Sequence, residues 1–323
     1  MIYHKVGGYV ILTALDSSRV LLKENAMQLE TIKEHIQLWL SRTVGIGAVN
    51  ELFESSIAMS CDIGNIRPEN QDRVVCVQVQ VTASDSFVIG VLCDGMGGMA
   101  SGANCASLSI ASFVGSCINN LQLPVAERLL KAVEEANSDV YSLYNSNGGA
   151  TLSAFLYDSD GHFEAVNVGD SRIYANFAHG IKQYSKDDTF AGQSADAAGV
   201  HLSKGLLQYV GVGPDLKAQI VRLPKYRNIK RLILTSDGAH YIEANTFKQI
   251  LNQKLSASKL CSRLIQVSKW CGGYDNTSVL IANDLLNIFS EPDKTSLPVG
   301  TVKLWDPFGE IQFIGAIALA NKD

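Results

Sequence analysis

The stretch that decides the fold is "SFVIGVLCDGMGGMASG", residues 86–102, in which an apolar segment ends at an acid and glycines follow. Residues 86–93 are apolar at nearly every position, so we predict a strand buried on both faces, between a second sheet and a layer of helices. Asp94 ends this strand, and the chain then enters a helix. Asp-Gly is common in the primed turns of hairpins. Because Asp94-Gly95 joins a strand to a helix, such a turn does not explain why this pair stands here.

Segments with the composition of strands lie on both sides of this stretch. They cover residues 57–64, 73–81, 150–158, 161–169, 171–177, 180–185, 218–224, 230–237 and 277–284, and a hairpin pattern covers 301–319. Helical segments over 101–119 and 124–144, and two short ones within 245–270, interrupt the strands in pairs. Runs of strands separated by helix pairs predict an α+β fold with mainly antiparallel sheets.

The composition excludes several classes of function. The chain has 323 residues, 46% of them hydrophobic and 18% charged, with a net charge of -5, which is typical of a folded protein without a surface for nucleic acid. No apolar run approaches the roughly 20 residues that span a bilayer, and the N-terminus does not resemble a signal peptide. The seven cysteines include no Cys-x-x-Cys pair. We therefore expect a cytoplasmic protein with reduced thiols and no membrane partner.

The chain divides by composition into three parts. Residues 1–55 combine a short strand with an amphipathic helix over about 16–42, which we expect to pack on the domain, with partner docking as the alternative. Residues 56–285 form the main domain, and within it 187–215 is a surface excursion rich in small residues. Residues 286–323 form a hairpin-like tail. We see no internal repeat.

Acids occur at the ends of five predicted strands, and we call them the strand-end acids: Asp72, Asp94, Asp170, Asp237 and Asp275. Asp160-Gly161, between two alternating strands, is by contrast an ordinary hairpin turn. If the strand-end acids converge, their repulsion raises their pKa values unless divalent cations neutralise them. Oxygen ligands favour Mg²⁺ or Mn²⁺, two of which, about 3.5–4 Å apart, would bridge a water and clamp a phosphoryl group.

Glycine at position 95 fits such a centre, because a backbone carbonyl without a side chain can approach a metal directly. Other readings of the same stretch are weaker. There is no Gly-Lys-Ser/Thr or Gly-x-Gly-x-x-Gly pattern for nucleotides. There is also no Gly-x-Ser-x-Gly for a serine hydrolase.

Six motifs in order resemble those of the metal-dependent type-2C Ser/Thr protein phosphatases, the PPM family, over about residues 58–283. They are "GNIRPENQDR", "VLCDGMGGMASG", "GGATLSAF", "NVGDSRIY", "LTSDGAH" and "GGYDNTSV". The resemblance implies a four-layer α-β-β-α sandwich that hydrolyses phospho-Ser/Thr in proteins through a water or hydroxide bridging two Mn²⁺ or Mg²⁺ ions. It also implies phosphoprotein substrates and a cognate Ser/Thr kinase.

The resemblance further implies roles for individual residues. Asp94 would bridge both ions, the Gly95 carbonyl would ligate one, and Asp237 and Asp275 would ligate the other. Asp170 would correspond to the acid of an uncertain third ion. Asp72 would orient metal-bound water, and Arg67 would hold the substrate phosphate with its guanidinium. Gln71 and Asn276 would support these ligands from outside the coordination shell, and 187–215 would be the flap that contacts substrate.

The sequence departs from the family pattern at four places. Gln71 stands where many members have Glu, although bacterial members often have Gln. Met96 replaces the His of eukaryotic members, which is the bacterial pattern and leaves the proton donor unassigned. Tyr241 stands where members often have an acid, which weakens the third metal site. Residues 1–55 and 285–323 have no counterpart in the minimal catalytic domain.

These departures leave two alternatives open. One is a catalytically weak scaffold that binds phosphoproteins or a partner kinase, and the other is hydrolysis of small phosphoesters or nucleotides.

Overall fold

The structure is a computed structural model that describes residues 30–54, 56–96, 101–177, 180–189, 205–223, 228–285, 288–289 and 297–317, and the backbone of 4–6 and 9–11. Its strands are β1 His4–Val6, β2 Tyr9–Ile11, β3 Gly47–Leu52, β4 Ile57–Asp62, β5 Asp72–Gln80, β6 Ser86–Asp94, β7 Leu152–Asp158, β8 Phe163–Val168, β9 Arg172–Phe177, β10 Gly180–Gln183, β11 Gln219–Ile220, β12 Arg231–Thr235, β13 Thr277–Asn283, β14 Thr301–Asp306 and β15 Gly309–Phe313. The helices are α1 over residues 30–40, α2 Gly102–Asn119, α3 Val125–Tyr144, α4 Asp237–His240, α5 Ala244–Leu251 and α6 Ala257–Trp270.

Two large sheets organise the described part of the chain. One has the strand order β10-β9-β12-β13-β4-β3, and the other β11-β8-β7-β6-β5-β14-β15. Every pairing in both is antiparallel. Strands β1 and β2 pair separately.

Three apolar layers hold the sheets and helices together. Between the sheets, Val74 and Leu92 of one meet Met59 and Leu280 of the other. The alternate residues of β5 and β6 face α1, α2 and α3, and the outer face of the six-stranded sheet carries α5 and α6. This confirms the predicted four-layer α+β sandwich, because each sheet buries both faces.

The strand in the opening stretch is β6, and it is buried along its length as expected. It lies between β5 and β7 in the seven-stranded sheet. Residues 97–100 lie outside the described residues, and α2 follows from Gly102.

The sequence patterns missed β3 and the four-residue helix α4. β3 alternates between exposed and half-buried residues at the edge of its sheet, so it has little apolar signal. Within the predicted helix over 16–42, residues 30–40 are helical and bury Ile32, Ile36 and Leu40. Its first part, 16–29, lies outside the described residues. The division at 55 and 285 stays a prediction, but the structure joins β3 to one sheet and β14 to the other.

A buried ion pair ties the segment after α1 to the terminal hairpin. Arg42 Nη2 lies 2.7 Å from Asp306 Oδ2 and donates to its Oδ1 at 2.9 Å. Asp306 is buried, and its Oδ1 also accepts from the N–H of Phe308. Arg42 in turn lies over the Trp39 ring.

Replacing Asp306 by Ala should lower the free energy of unfolding by about 2–4 kcal/mol, because Arg42 and the turn N–H lose a buried charged acceptor. Urea denaturation measures this loss. Lys131→Ala is the control, since its contacts with Glu134 and Glu135 are long and exposed and should change stability by less than about 0.5 kcal/mol. Equal effects of the two substitutions would contradict the role of the ion pair.

Candidate active site

The structure brings the five strand-end acids to one end of the sandwich. Asp72 and Asp94 are register partners on β5 and β6, Asp170 follows β8, and Asp237 and Asp275 flank the neighbouring strands β12 and β13. Asp94 lies at the centre. Burial raises its pKa well above the usual range, and the carboxylates of the other four strand-end acids raise it further.

Asp72 connects the two sheets. Its Oδ2 accepts a 2.7 Å hydrogen bond from Ser236 Oγ, and Ser236 Oγ accepts from the N–H of Ser278 at 2.8 Å. The Oδ1 atom of Asp72 is buried and has no hydrogen-bond partner among the described residues. Burial, with repulsion from Asp275, raises the pKa of Asp72 to about 6. The free oxygen is therefore available to a ligand.

The backbone around Gly95 is fixed from both sides. Gly95 N–H donates to the Gln71 carbonyl at 3.2 Å, and Asp94 accepts from Thr151 N–H at 2.8 Å. A Cβ at position 95 would lie 2.3 Å from the carbonyl oxygen of Gly102. Glycine is therefore needed here for the close approach of β6 to the start of α2, in addition to any approach to a metal.

Asp237 opens the short helix α4. Its Oδ1 is buried without a partner among the described residues, and its carboxylate hydrogen bonds the Tyr241 hydroxyl. Burial and repulsion from Asp275 and Asp170 raise the pKa of Asp237 to about 7. A Cβ on the next residue, Gly238, would lie 2.0 Å from the Asn276 carbonyl oxygen.

Arg67 lies at the solvent side of the strand-end acids. Its Nη2 contacts Asp275 Oδ2 at 2.6 Å, the one hydrogen bond it makes within the described residues. The side chain of Arg67 is half exposed, and its remaining guanidinium N–H groups are available to bind an anion. The role of Arg67 in holding phosphate stays a prediction.

Gln71 and Asn276 connect the two motifs that carry Asp72 and Asp275. Asn276 Oδ1 accepts from Gln71 N–H at 2.8 Å, and its Nδ2 donates to the carbonyls of Ile63 and Glu69. The side chain of Gln71 reaches Glu69 at 3.3 Å. Asn276 thus fixes the loop before β5, which has no regular structure of its own.

Asp170 lies beside a second group of charges at the base of the predicted flap. Burial, with repulsion from Asp187, raises its pKa to about 6. Asp187 itself makes a bidentate contact with Arg172. Asp188 is buried and accepts from the N–H of Gly169 and from Gln219. These contacts fix residues 187–189, while 190–204 of the flap lie outside the described residues.

The far end of the flap returns to the loop of Gly95. Ala150 bridges Gly95 on one side and Val210 on the other, and Met96 N–H donates to the Gly149 carbonyl. The buried Asn137 of α3 holds the turn beyond Val210 by hydrogen bonding Gly211 and Gly213. Val210 is therefore joined through Ala150 to Gly95, next to Asp94.

The donor set fits a pair of Mg²⁺ or Mn²⁺ ions. Two buried carboxylate oxygens have no partner among the described residues, and burial together with mutual repulsion raises the pKa values of their carboxyl groups, as is expected of groups suited to hold cations. All donors are oxygens, which matches hard cations. The chemistry agrees with the predicted centre, and the assignment of individual ligands stays a prediction.

A tighter group of ligand atoms lies elsewhere among the described residues. Asp158, Asp160 and His162 place one ligand atom each within 4.8 Å of one another in the turn between β7 and β8. The His162 ring and its N–H both contact Asp158, as in many polar turns. The strand-end acids bring no three such atoms within that distance of one another.

Sequence reasoning missed three residues that support the site. Ser236 joins the sheets, and Thr151 Oγ1 accepts from Asp94 N–H while it pairs with Ser171 Oγ at 2.7 Å. Both lie within the quoted motifs, next to or opposite an acid. Ser268 holds the Gly238 carbonyl at 2.8 Å from α6. Because Ser268 lies far from Gly238 in the chain, the sequence gave no indication of this contact.

Comparisons with known proteins support the resemblance. The chain is 26% identical over 239 residues to the serine/threonine protein phosphatase PstP of Mycobacterium tuberculosis, covering 70% of this chain and 44% of the relative. This chain thus spans less than half the length of that relative. No family model matches the chain.

Solved structures of PPM phosphatases share the fold. The PPM Ser-Thr phosphatase MsPP from Mycobacterium smegmatis, in complex with cacodylate, aligns with a TM-score of 0.59 at 23% identity, covering 71% of this chain and 97% of that one. The catalytic domain of PstP with two manganese ions aligns with a TM-score of 0.54 at 24% identity, covering 73% and 98%. The predicted resemblance to bacterial-type PPM phosphatases is confirmed, in sequence and in fold.

Replacing Gly238 by Ala should destabilise the protein by about 1–3 kcal/mol, because the added methyl group overlaps the Asn276 carbonyl. The control is Gly115→Ala in α2, where a Cβ meets an ordinary contact at 3.8 Å and should stabilise by up to about 1 kcal/mol. Urea denaturation distinguishes the two. A neutral Gly238→Ala would contradict the close contact.

Without metal, the protein should lose stability as pH rises from about 4 to 7. In the unfolded chain these carboxyls ionise near 3.9, whereas the folded pKa values are about 6 for Asp72 and Asp170 and about 7 for Asp237. The folded state therefore holds more protons across this window, and its stability falls with each one lost.

Melting temperatures in EDTA across this pH range measure the decline. Mn²⁺ should raise the melting temperature more at pH 7 than at pH 5, because it binds the ionised carboxylates. Asp237→Asn should flatten the decline in EDTA. A metal-free melting temperature that increases between pH 4 and 7 would contradict the raised pKa values.

Proposed function

We propose that this protein is a metal-dependent phosphoprotein phosphatase that hydrolyses phospho-Ser/Thr at the strand-end acids. The observation that carries the proposal is the meeting of five acids, two of which have a buried oxygen without a partner among the described residues, beside one half-exposed arginine. Such a site suits two divalent cations and the anion that they attract. The likeness to phosphatases of the same fold supports it.

Bound Mn²⁺ or Mg²⁺ would neutralise the carboxylates, polarise the phosphoryl group and lower the pKa of the attacking water. Asp94, the Gly95 carbonyl, Asp237 and Asp275 would hold the ions, and Asp170 would hold a third if one binds. Asp72, held by Ser236, would orient the attacking water through its free oxygen. We assign no side chain to the protonation of the leaving group.

Arg67 would bind the phosphate with the N–H groups that Asp275 leaves free. Gln71 and Asn276 would keep the loop of Arg67 and Asp72 in place through their mutual hydrogen bond.

The proposed setting is bacterial-type signalling in the cytoplasm, opposite a Ser/Thr kinase. None of the seven cysteines forms a disulfide and six are buried, which suits a reducing compartment. No described helix has the length and hydropathy needed to cross a membrane.

The central test is release of phosphate from a phosphothreonine peptide in Mn²⁺ and in EDTA. Turnover should require the metal, and Asp237→Asn should lower kcat by about 100-fold or more, since a neutral amide would hold less tightly the cation that stabilises the developing negative charge. Asp160→Asn, an exposed acid outside the site, is the matched control and should retain activity. Full activity in Asp237→Asn would refute the proposed centre.

Arg67→Ala should act on binding rather than on the ions. Loss of its charged hydrogen bonds should raise KM for the phosphopeptide by about 10-fold or more, with Mn²⁺ affinity changed little. Steady-state kinetics and calorimetric metal titration measure the two quantities. An unchanged KM would remove Arg67 from the phosphate site.

The alternative is a catalytically weak scaffold. It is motivated by Tyr241, which stands at a position where members of the resembled family often have an acid, and whose hydroxyl hydrogen bonds Asp237. It predicts phosphopeptide binding with little Mn²⁺ uptake and no turnover in the same experiments. A panel of small phosphoesters would separate the third reading, hydrolysis of small molecules.

A further inference from the structure

Four large apolar side chains are exposed on the segments that carry the proposed phosphate and metal residues. We call them the apolar rim: Ile66, Tyr241, Trp270 and Tyr274. Trp270 is 89% exposed and Tyr274 72%. Tryptophan and tyrosine at this exposure are uncommon unless they bind something, and they are the residues that contribute most to binding at interfaces.

Ile66 and Tyr274 each precede a member of the ion pair at the site. Ile66 comes directly before Arg67, and Tyr274 directly before Asp275, and these two charged groups meet at 2.6 Å. The charged side chains contact each other, while their apolar neighbours stay exposed to solvent. The ion pair therefore fixes where both apolar side chains emerge.

Asn65 joins the segment of Trp270 to the same place. Its Nδ2 donates to the carbonyls of Lys269 and Gly272, and its N–H donates to the Gly273 carbonyl. The end of α6, which carries Trp270, is thus fixed to the residue before Ile66. Gly272 and Gly273 adopt positive φ, which allows the tight turn between α6 and Tyr274.

Tyr241 completes the rim from the other side of the metal residues. Its hydroxyl hydrogen bonds the Asp237 carboxylate and its ring is half exposed. Residues that flank a phosphorylated side chain bound at Arg67 and Asp237 would therefore lie next to segments that carry exposed apolar side chains.

We propose that the apolar rim binds an apolar side chain next to the phosphorylated residue of the protein substrate, and so sets sequence preference. This inference rests on the proposed phosphatase function and extends it to a substrate class. The occupant is a substrate segment because the rim is continuous with the phosphate site through adjacent residues, and exposed apolar surface there gains free energy only when a ligand covers it.

The test uses two phosphothreonine peptides that differ only in having leucine or serine beside the phosphothreonine. Wild type should prefer the leucine peptide, and Trp270→Ala and Tyr274→Ala should each raise its KM by about 5- to 30-fold, with a smaller effect on the serine peptide. Since both side chains are exposed, the variants should fold, and circular dichroism checks this.

Ile314→Ala is the matched control, because Ile314 has the same 72% exposure as Tyr274. Ile314 directly follows β15. The last residue of β15, Phe313, pairs with Val302 of β14, and Val302 pairs with Val79 of β5. Val79 lies near the opposite end of β5 from Asp72, so Ile314 is remote from the site. It should leave both peptides unchanged. Equal discrimination in wild type, Trp270→Ala and Tyr274→Ala would overturn the proposal.

Tryptophan emission separates this inference from the proposed function. Trp270 should be covered on binding, so the tryptophan emission of Asp237→Asn should shift to shorter wavelength with the leucine peptide and less with the serine peptide.

If wild type hydrolyses no peptide but the shift occurs, the phosphatase function fails and the rim remains a peptide site. If neither occurs, both fail. A dimer that dissociates in Trp270→Ala, with discrimination unchanged, would assign the rim to a second copy and overturn the inference.

Discussion

The hydroxyl of Ser236 joins the two sheets at the point where the strand-end acids meet. It donates to Asp72 on one sheet and accepts from the Ser278 backbone on the other. The sandwich is held over most of its length by apolar contact, which has no direction. At this end direction matters, because carboxylates that repel one another must be kept close. The hydrogen bonds of Ser236, Thr151 and Asn276 provide that direction.

Repulsion among the acids explains both the weakness and the use of the site. Burial and neighbouring carboxylates raise the pKa values of Asp72, Asp94, Asp170 and Asp237. Holding these carboxyl groups together without cations lowers the stability of the fold. Cations that neutralise them restore that stability, and this contributes to the affinity of the site for cations. The glycines at 95 and 238 let backbones approach closely enough to form the cluster. The proposed chemistry and the strain on the fold therefore have one origin.

The surroundings of the site are organised by fixed anchors. Asp188 and Asn137 hold the two described ends of the proposed flap, and Ala150 links its return to Gly95. On the other side Asn65 holds the end of α6, which carries Trp270, and the turn that leads to Tyr274. In the proposed function, substrate would meet a fixed phosphate site between a flap and an apolar rim.

The sequence by itself determined most strands, the helix pairs and the class of fold, because short apolar runs such as β6, bounded by turn residues, can be recognised without knowing what they pack against. It also marked all five strand-end acids, since each follows or precedes such a run. β3 escaped, because an edge strand with half-buried residues lacks that pattern. Only the tertiary structure decided which acids face one another, that Ser236 links the sheets, and that Gly238 must lack a side chain. These depend on contacts between residues far apart in the chain, and no local pattern encodes such distances. The apolar rim was hidden for the same reason, because only the fold shows that Ile66 and Trp270 are exposed to solvent.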